Sequence, residues 1–211
     1  MQKKYIYTVV GVVVVLLLYF GIKALINHSR QVNETNAMVI YEQAGTALGN
    51  DDVEGAITRC QQALPDIRTP ENRALCLSLL GEAMGRQQRV NEAEDQFVEA
   101  KRLAPTNMTV WMRAGKMYYD GASKRPEDKA TEDYTKALTQ FTEAMKFCPE
   151  REREVKQELL FYQGDILEKL KLFDEAQRRY EELVKIADLY PDLKNPNYDE
   201  VVKRLKVLEK E

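Results

Sequence analysis

The apolar positions divide the 211-residue chain into two unlike parts. Tyr5 to Ile22 carries no charge and hardly a polar atom, around the core VVGVVVVLLLYFG with its six valines. Beyond it, apolar residues recur at helical spacing among charged ones, and no alternating strand pattern competes. A helix crossing a bilayer needs roughly 20 apolar residues. The run reaches that length if Lys23 carries its ammonium out to the headgroups. Residues 5–26 are therefore expected to form one transmembrane helix after a short basic N-terminus, 1–4. Tyr5, Tyr7 and Tyr19 suit an interfacial aromatic belt. A cleaved signal peptide is the alternative. Its apolar region is usually shorter than this, and no small-x-small site followed by a break precedes the polar residues.

Residues 27–36, NHSRQVNETN, are polar and predict a stalk. The helical spacing that follows has an internal period. The stretch 74–107 holds Leu80, Gly81 and Met84, then Ala93, Phe97, Ala100 and Pro105. One period later come Trp111, Ala114, Gly115 and Tyr118. Their second half arrives ten residues late, as Ala137, Phe141, Ala144 and Pro149. A further copy has Leu160, Gly164, Leu167, Ala176 and Tyr180. A weaker one upstream has Ile40, Ala44, Ala56, Cys60 and Ala63. Small residues let two antiparallel helices approach, large ones fill between them, and proline stops the second helix.

This alternation resembles the tetratricopeptide (TPR) repeat, a helix–turn–helix unit of 34 residues. The resemblance covers about Ala37 to Tyr190 and implies an all-α superhelix of about four repeats. The repeats fall at about 37–70, 74–107, 108–151 and 157–190, the third with an inserted loop at 120–133. After Pro191 the segment 191–211 predicts a turn and a capping helix. Asn197 with Glu200 forms its N-cap pair, and Val201, Val202, Leu205 and Leu208 form its apolar stripe.

The resemblance also implies a protein-binding groove lined by the first helix of each repeat. The positions that match are Tyr41, Leu75, Glu82, Arg86, Met112, Lys116, Tyr119, Phe161, Asp165 and Glu168. Met38, Leu48, Ser78, Thr109 and Glu158 fall in the same phase. Exposed aromatics and methionine there would suit a peptide or a partner helix, with Tyr41, Tyr119 and Phe161 as anchors. The alternative is that they pack within their own array. Family members that grip acidic chaperone C-termini use a Lys/Asn/Arg clamp. The matching places here are Tyr41, Gly45, Ser78, Glu82, Arg113, Glu158 and Tyr162, and only Arg113 is basic, so that partner is not expected.

Charge narrows the partner class further. Residues 1–30 hold four basic residues and no acid. Of the chain's 31 basic and 34 acidic residues, 27 and 34 therefore lie beyond residue 30, a net charge of −7. That balance argues against nucleic acid. The excess of Lys3 and Lys4 with the terminal amine over Lys23 and Arg30 is small. It favours the N-terminus inside and the repeats on the outer, periplasmic side of a bacterial inner membrane, the cytosolic face being the alternative. Cys60, Cys76 and Cys148 form no CxxC. Cys60 and Cys76 fall on helices that should pack together, as free thiols or as a bridge in an oxidising space. The lone His28 has no second ligand near it in sequence, and no phosphate loop or nucleophile–base set appears. The expectation is a non-enzyme without cofactor or metal: a membrane-anchored scaffold or adaptor working with another protein, a membrane complex or an envelope or secretion component. The alternative is a permanent subunit of a larger membrane complex.

Overall fold

The computed structural model describes residues 2–193 and 195–208, with side chains described for 18–126, 130–193 and 195–208. Those residues are helical almost throughout, and none of them is in a strand. The order is α1 (Gln2–Gly49), α2 (Val53–Ala63), α3 (Pro70–Arg86), α4 (Val90–Leu103), α5 (Met108–Ser123), α6 (Glu127–Lys146), α7 (Arg153–Lys169) and α8 (Phe173–Leu189). A single 3-10 turn (Pro191–Leu193) and α9 (Tyr198–Leu208) complete it.

The helices pack as consecutive antiparallel pairs, α1 with α2 through α7 with α8. One contact recurs inside the pairs. Gly81 of α3 lies under Phe97 of α4, Gly115 of α5 under Phe141 of α6, and Gly164 of α7 under Tyr180 of α8. A Cβ at Gly81 would sit 3.0 Å from the ring, and one at Gly115 2.8 Å, so only hydrogen fits there. The three rings are buried. In the first pair Ala44 takes the glycine's place and Cys60 the ring's, both fully buried. A smaller partner leaves room for a methyl group, which explains why this repeat looks degenerate in sequence.

The turns between paired helices place one residue each in the left-handed region, an aspartate in the first and two residues that seldom adopt it in the others. Asp51, Gln88 and Lys171 have φ of 63°, 62° and 61°. Each follows a helix whose last carbonyls accept from the next two amides. One example is the Arg89 N–H donating to the Met84 carbonyl at 3.0 Å, the Schellman arrangement. Two helix starts are capped by their own side chains: Asp52 accepts from the Gly55 amide, and Asn107 from the Thr109 amide.

Two expectations need amending, and one open alternative closes. The loop 120–133 is not a loop. Residues 120–123 prolong α5 and 127–133 begin α6, so only Lys124–Pro126 connect them. Ala130, Asp133 and Tyr134 are buried, and Arg125 pairs with Asp133 at 2.7 Å. The extra residues thus go chiefly into α6, 20 residues long against 14 in α4 and 17 in α8. The stalk 27–36 is also helical, an unbroken part of α1. Its Glu34 accepts from the Thr69 amide at 3.0 Å and from Asn72 at 3.1 Å, capping α3 from outside. Finally, Cys60 and Cys76 are buried and unbridged, the Cys76 thiol donating to the Cys60 carbonyl at 3.6 Å.

The capping helix forms as expected. Val201 and Leu208 are buried, and they join Leu160, Tyr180 and Leu183 in covering the end of the last pair. As for the apolar N-terminal run, no helix among the described residues is long and apolar enough to cross a membrane. Side chains 5–17 of the expected span lie outside those described.

Replacing Gly115 with leucine forces the Phe141 ring out of its place. The expected cost is about 1–3 kcal/mol or more. A melting curve checks it, and an unchanged midpoint would mean that the pairing is assigned wrongly.

Candidate interaction face

The first helices of the four pairs, α1, α3, α5 and α7, carry all ten sequence-predicted groove residues. They do share one face, but most of them are already engaged with each other. Arg113 is the first hub. It donates to the Leu75 carbonyl and the Ser78 hydroxyl at 3.0 Å each, and to the Tyr41 hydroxyl at 3.2 Å. Its Nε lies 3.4 Å from Glu82, so one side chain joins α1, α3 and α5. Glu82 also pairs with Arg86 at 3.4 Å, and Arg86 donates to the Leu48 carbonyl at the end of α1. Leu48 and Ser78 are buried, contrary to their expected place on an open groove.

Between α3 and α5 the backbones themselves come close, with Met117 of α5 over Gly85 of α3. The next step differs. The long α6 packs on α7, and α5 stands farther from α7. Long side chains span that gap. Lys116 pairs with Glu158 at 2.7 Å and lies 5.6 Å from the Tyr162 ring centre. Burial works against the Lys116 charge, yet the Glu158 carboxylate outweighs it and holds the ammonium pKa above its ordinary value. Tyr119 donates to Asp165 at 2.7 Å and meets the rings of Tyr134 and Tyr162 edge-on. Burial, with the Asp165 carboxylate behind it, pushes the Tyr119 hydroxyl pKa well up. The phenol thus remains a donor at neutral pH. Met112 packs half-buried in the same aromatic cluster.

The second hub comes from outside the repeats. Arg204 of α9 reaches back to donate to Asp165, to Glu168 at 2.8 Å and to the Tyr180 hydroxyl at 3.1 Å. Its guanidinium lies 6.0 Å from the Phe161 ring centre. Asp165 is 4% exposed at its side chain, so its charge depends on these partners. Burial opposes the Arg204 charge, but the hydrogen bond to Asp165 dominates and raises its pKa. Periodicity places Asp165 and Glu168 on the right face. It gives no signal for Arg204, which belongs to a single non-repeated helix. The nearest hint is Glu200, one turn earlier, which pairs with it at 3.1 Å.

Tyr41, Glu82, Arg86, Lys116, Tyr119, Asp165 and Glu168 are therefore ties between helices. Tyr119 in particular is a structural donor as much as a candidate anchor, so its removal disturbs the array. The part of the face that stays open lies at α7, where a cleft of about 570 Å³ runs between Phe161 and Tyr162 and the connection 191–197. The connection is held by Gln157, fully buried, which donates to the Leu193 carbonyl at 2.8 Å and accepts from the Asn195 amide at 3.1 Å. Sequence reasoning passed over Gln157. A glutamine at a position facing the last repeat's interior was its only signal.

No protein-family profile matches the sequence, and no curated protein does. Among solved structures, the chain is similar to PilF of Pseudomonas aeruginosa, a TPR-containing protein. The TM-score is 0.64 at 14% identity, over 83% of this chain and 68% of that one. That likeness, with the helix pairs described above, shows a TPR-like all-α fold.

Replacing Arg204 with methionine keeps the stem but leaves Asp165 and Glu168 facing each other without their cation. The expected loss is about 2–3 kcal/mol, read by denaturant unfolding. A Lys136→Met control at the exposed pair with Glu132, 3.0 Å apart, should cost no more than about 0.5 kcal/mol.

Proposed function

We propose that the protein is a membrane-anchored, non-catalytic scaffold that holds another protein, a membrane complex or an envelope or secretion component, through its TPR-like array. One observation carries the anchoring. Leu18, Phe20 and Leu25 of α1 are 61%, 60% and 71% exposed. Leu18 and Leu25 lie on one side of the helix and Phe20 on the other, and the first and last of the three bracket the end of the uncharged run Tyr5–Ile22. Apolar side chains on both sides of one helix, with no other described residue packed over them, fit lipid better than water. The array side of the reading rests on the TPR-like fold, a frame built for repeated helix faces, and on the acid excess beyond residue 30.

The junction supports a stiff mounting. α1 runs from the apolar segment into the first repeat without a break, and Glu34 ties it to α3. A helix of 48 residues is about 70 Å long. The basic residues at its start favour an array on the outer face of a bacterial inner membrane, with the cytosolic face as the alternative. A permanent structural subunit is the second reading. It is favoured by the extent to which the α1/α3/α5 face is already satisfied by Arg113, as in an array whose job is shape.

The protein should remain in the membrane fraction after alkaline carbonate washing. Removal of residues 1–30 should release a helical, soluble fragment, since the first docked side chain, Glu34, is retained. An intact protein whose sequenced N-terminus begins after Gly21 would rule the anchor out. Purification in mild detergent separates the two roles. A stoichiometric companion that survives all salt concentrations marks the subunit, and one lost at high salt marks the adaptor.

A further inference from the structure

We infer that the cleft between α7 and the connection 191–197 receives a partner segment in which a lysine or arginine is flanked by apolar residues. This deepens the scaffold reading and rests on it. Three features select that chemistry. The floor and walls are apolar and aromatic, formed by Val155, Phe161, Tyr162 and Leu193. Phe161 and Tyr162 meet edge-to-face at 5.8 Å and are only half-buried, so aromatic surface remains for a methylene stem beside their contacts with Arg204 and Lys116. The rim is acidic: Glu154 and Asp192 are exposed and make no ion pair among the described residues, while Glu158 shares its charge with Lys116.

Among the described residues, the cations nearest this rim are committed elsewhere. Arg153 lies 3.8 Å from the Tyr190 ring centre, Lys116 pairs with Glu158, and Arg204 is held by Asp165 and Glu168. Lys194, in the connection itself, lies outside the described residues. The cleft is also built to keep its shape. The fully buried Gln157 fixes the backbone of its far wall through two hydrogen bonds, and the Asn195 side chain accepts from the Asn197 amide at 2.8 Å. A preformed wall spares a bound segment the cost of ordering it. The volume, about 570 Å³, falls in the range of about 300–1,000 Å³ usual for ligand clefts. An acidic peptide would meet the same rim as repulsion, so the site discriminates by sign as well as by shape.

The test uses the full chain in maltoside micelles and a fluorescein-labelled pentapeptide alternating leucine and lysine, with a leucine–glutamate peptide and protein-free micelles as controls. Fluorescence anisotropy should show saturable binding of the lysine peptide and none of the glutamate peptide. The double variant Glu154→Lys, Asp192→Lys, two exposed positions whose change leaves the helical content intact, should weaken binding about tenfold or more. Equal affinity in the variant, or binding of the glutamate peptide, overturns the inference. A co-purifying protein that stays with both the unaltered chain and the variant likewise contradicts the cleft while leaving the scaffold reading in place. A chain with neither companion nor peptide binding contradicts both.

Discussion

The array depends on how close two helices of a pair can come, and that distance is set where a ring lies on a glycine. Gly81 with Phe97, Gly115 with Phe141 and Gly164 with Tyr180 repeat one crossing. A hydrogen on one helix admits an aromatic face from the other, and the buried ring supplies apolar area that no small side chain could. Fixing this crossing fixes which face of each helix is left for the next pair. The first pair uses a different combination, Ala44 with Cys60, where a smaller partner goes with a methyl group in place of the hydrogen. The size of one residue at the crossing therefore limits the size of the other.

What the crossing leaves over is the face of α1, α3, α5 and α7, and there polar groups take up the work. Arg113 and Arg204 each serve several acceptors from more than one helix. A guanidinium suits this because its donors point in fixed, divergent directions. The result is a face that is largely satisfied by itself near α1 to α5 and open near α7. The difference follows from the lengthened third repeat. A longer α6 comes between α5 and α7, and the wider step has to be bridged by tyrosines and a lysine–carboxylate pair.

The repeats were legible in the sequence because a small residue at a helix crossing has few substitutes, so Gly81, Gly115, Gly164 and the alanines that follow carry their phase openly. The C-terminal helix was legible through the Val201–Leu208 stripe, of which Val201 and Leu208 are buried, while Glu200 of the expected N-cap pair meets Arg204. The segment 120–133 was misread because its charges and Pro126 outweighed a quieter signal: Ala130, Tyr134, Ala137 and Phe141 already stand at helical spacing and are all buried. The left-handed turn residues Gln88 and Lys171 could not be read, since nothing in those side chains asks for positive φ, whereas Asp51, after Gly49 and Asn50, is of a type that tolerates it. The ten candidate residues fall on α1, α3, α5 and α7, but their phase did not show that most of them are tied to one another. Phase says which way a residue points, but the partner that meets it, Arg204 for Asp165 or Arg113 for Tyr41, lies on another helix or outside the repeat altogether.

The central claim is that the two residues at a crossing set each other's place. A double-mutant cycle at the third pair tests it by writing the first pair's solution there: Gly115→Ala, Phe141→Cys, and both together, unfolded by denaturant in reducing buffer. The loss of the Phe141–Tyr162 stacking, 4.8 Å between centres, is common to the Phe141 single and the double variant and cancels in the cycle. Each single change should destabilise, one by crowding and the other by a cavity. The double variant should be more stable than the sum of the two losses by about 1 kcal/mol or more. Strict additivity would contradict the account, because it would mean that the ring and the glycine do not set each other's place.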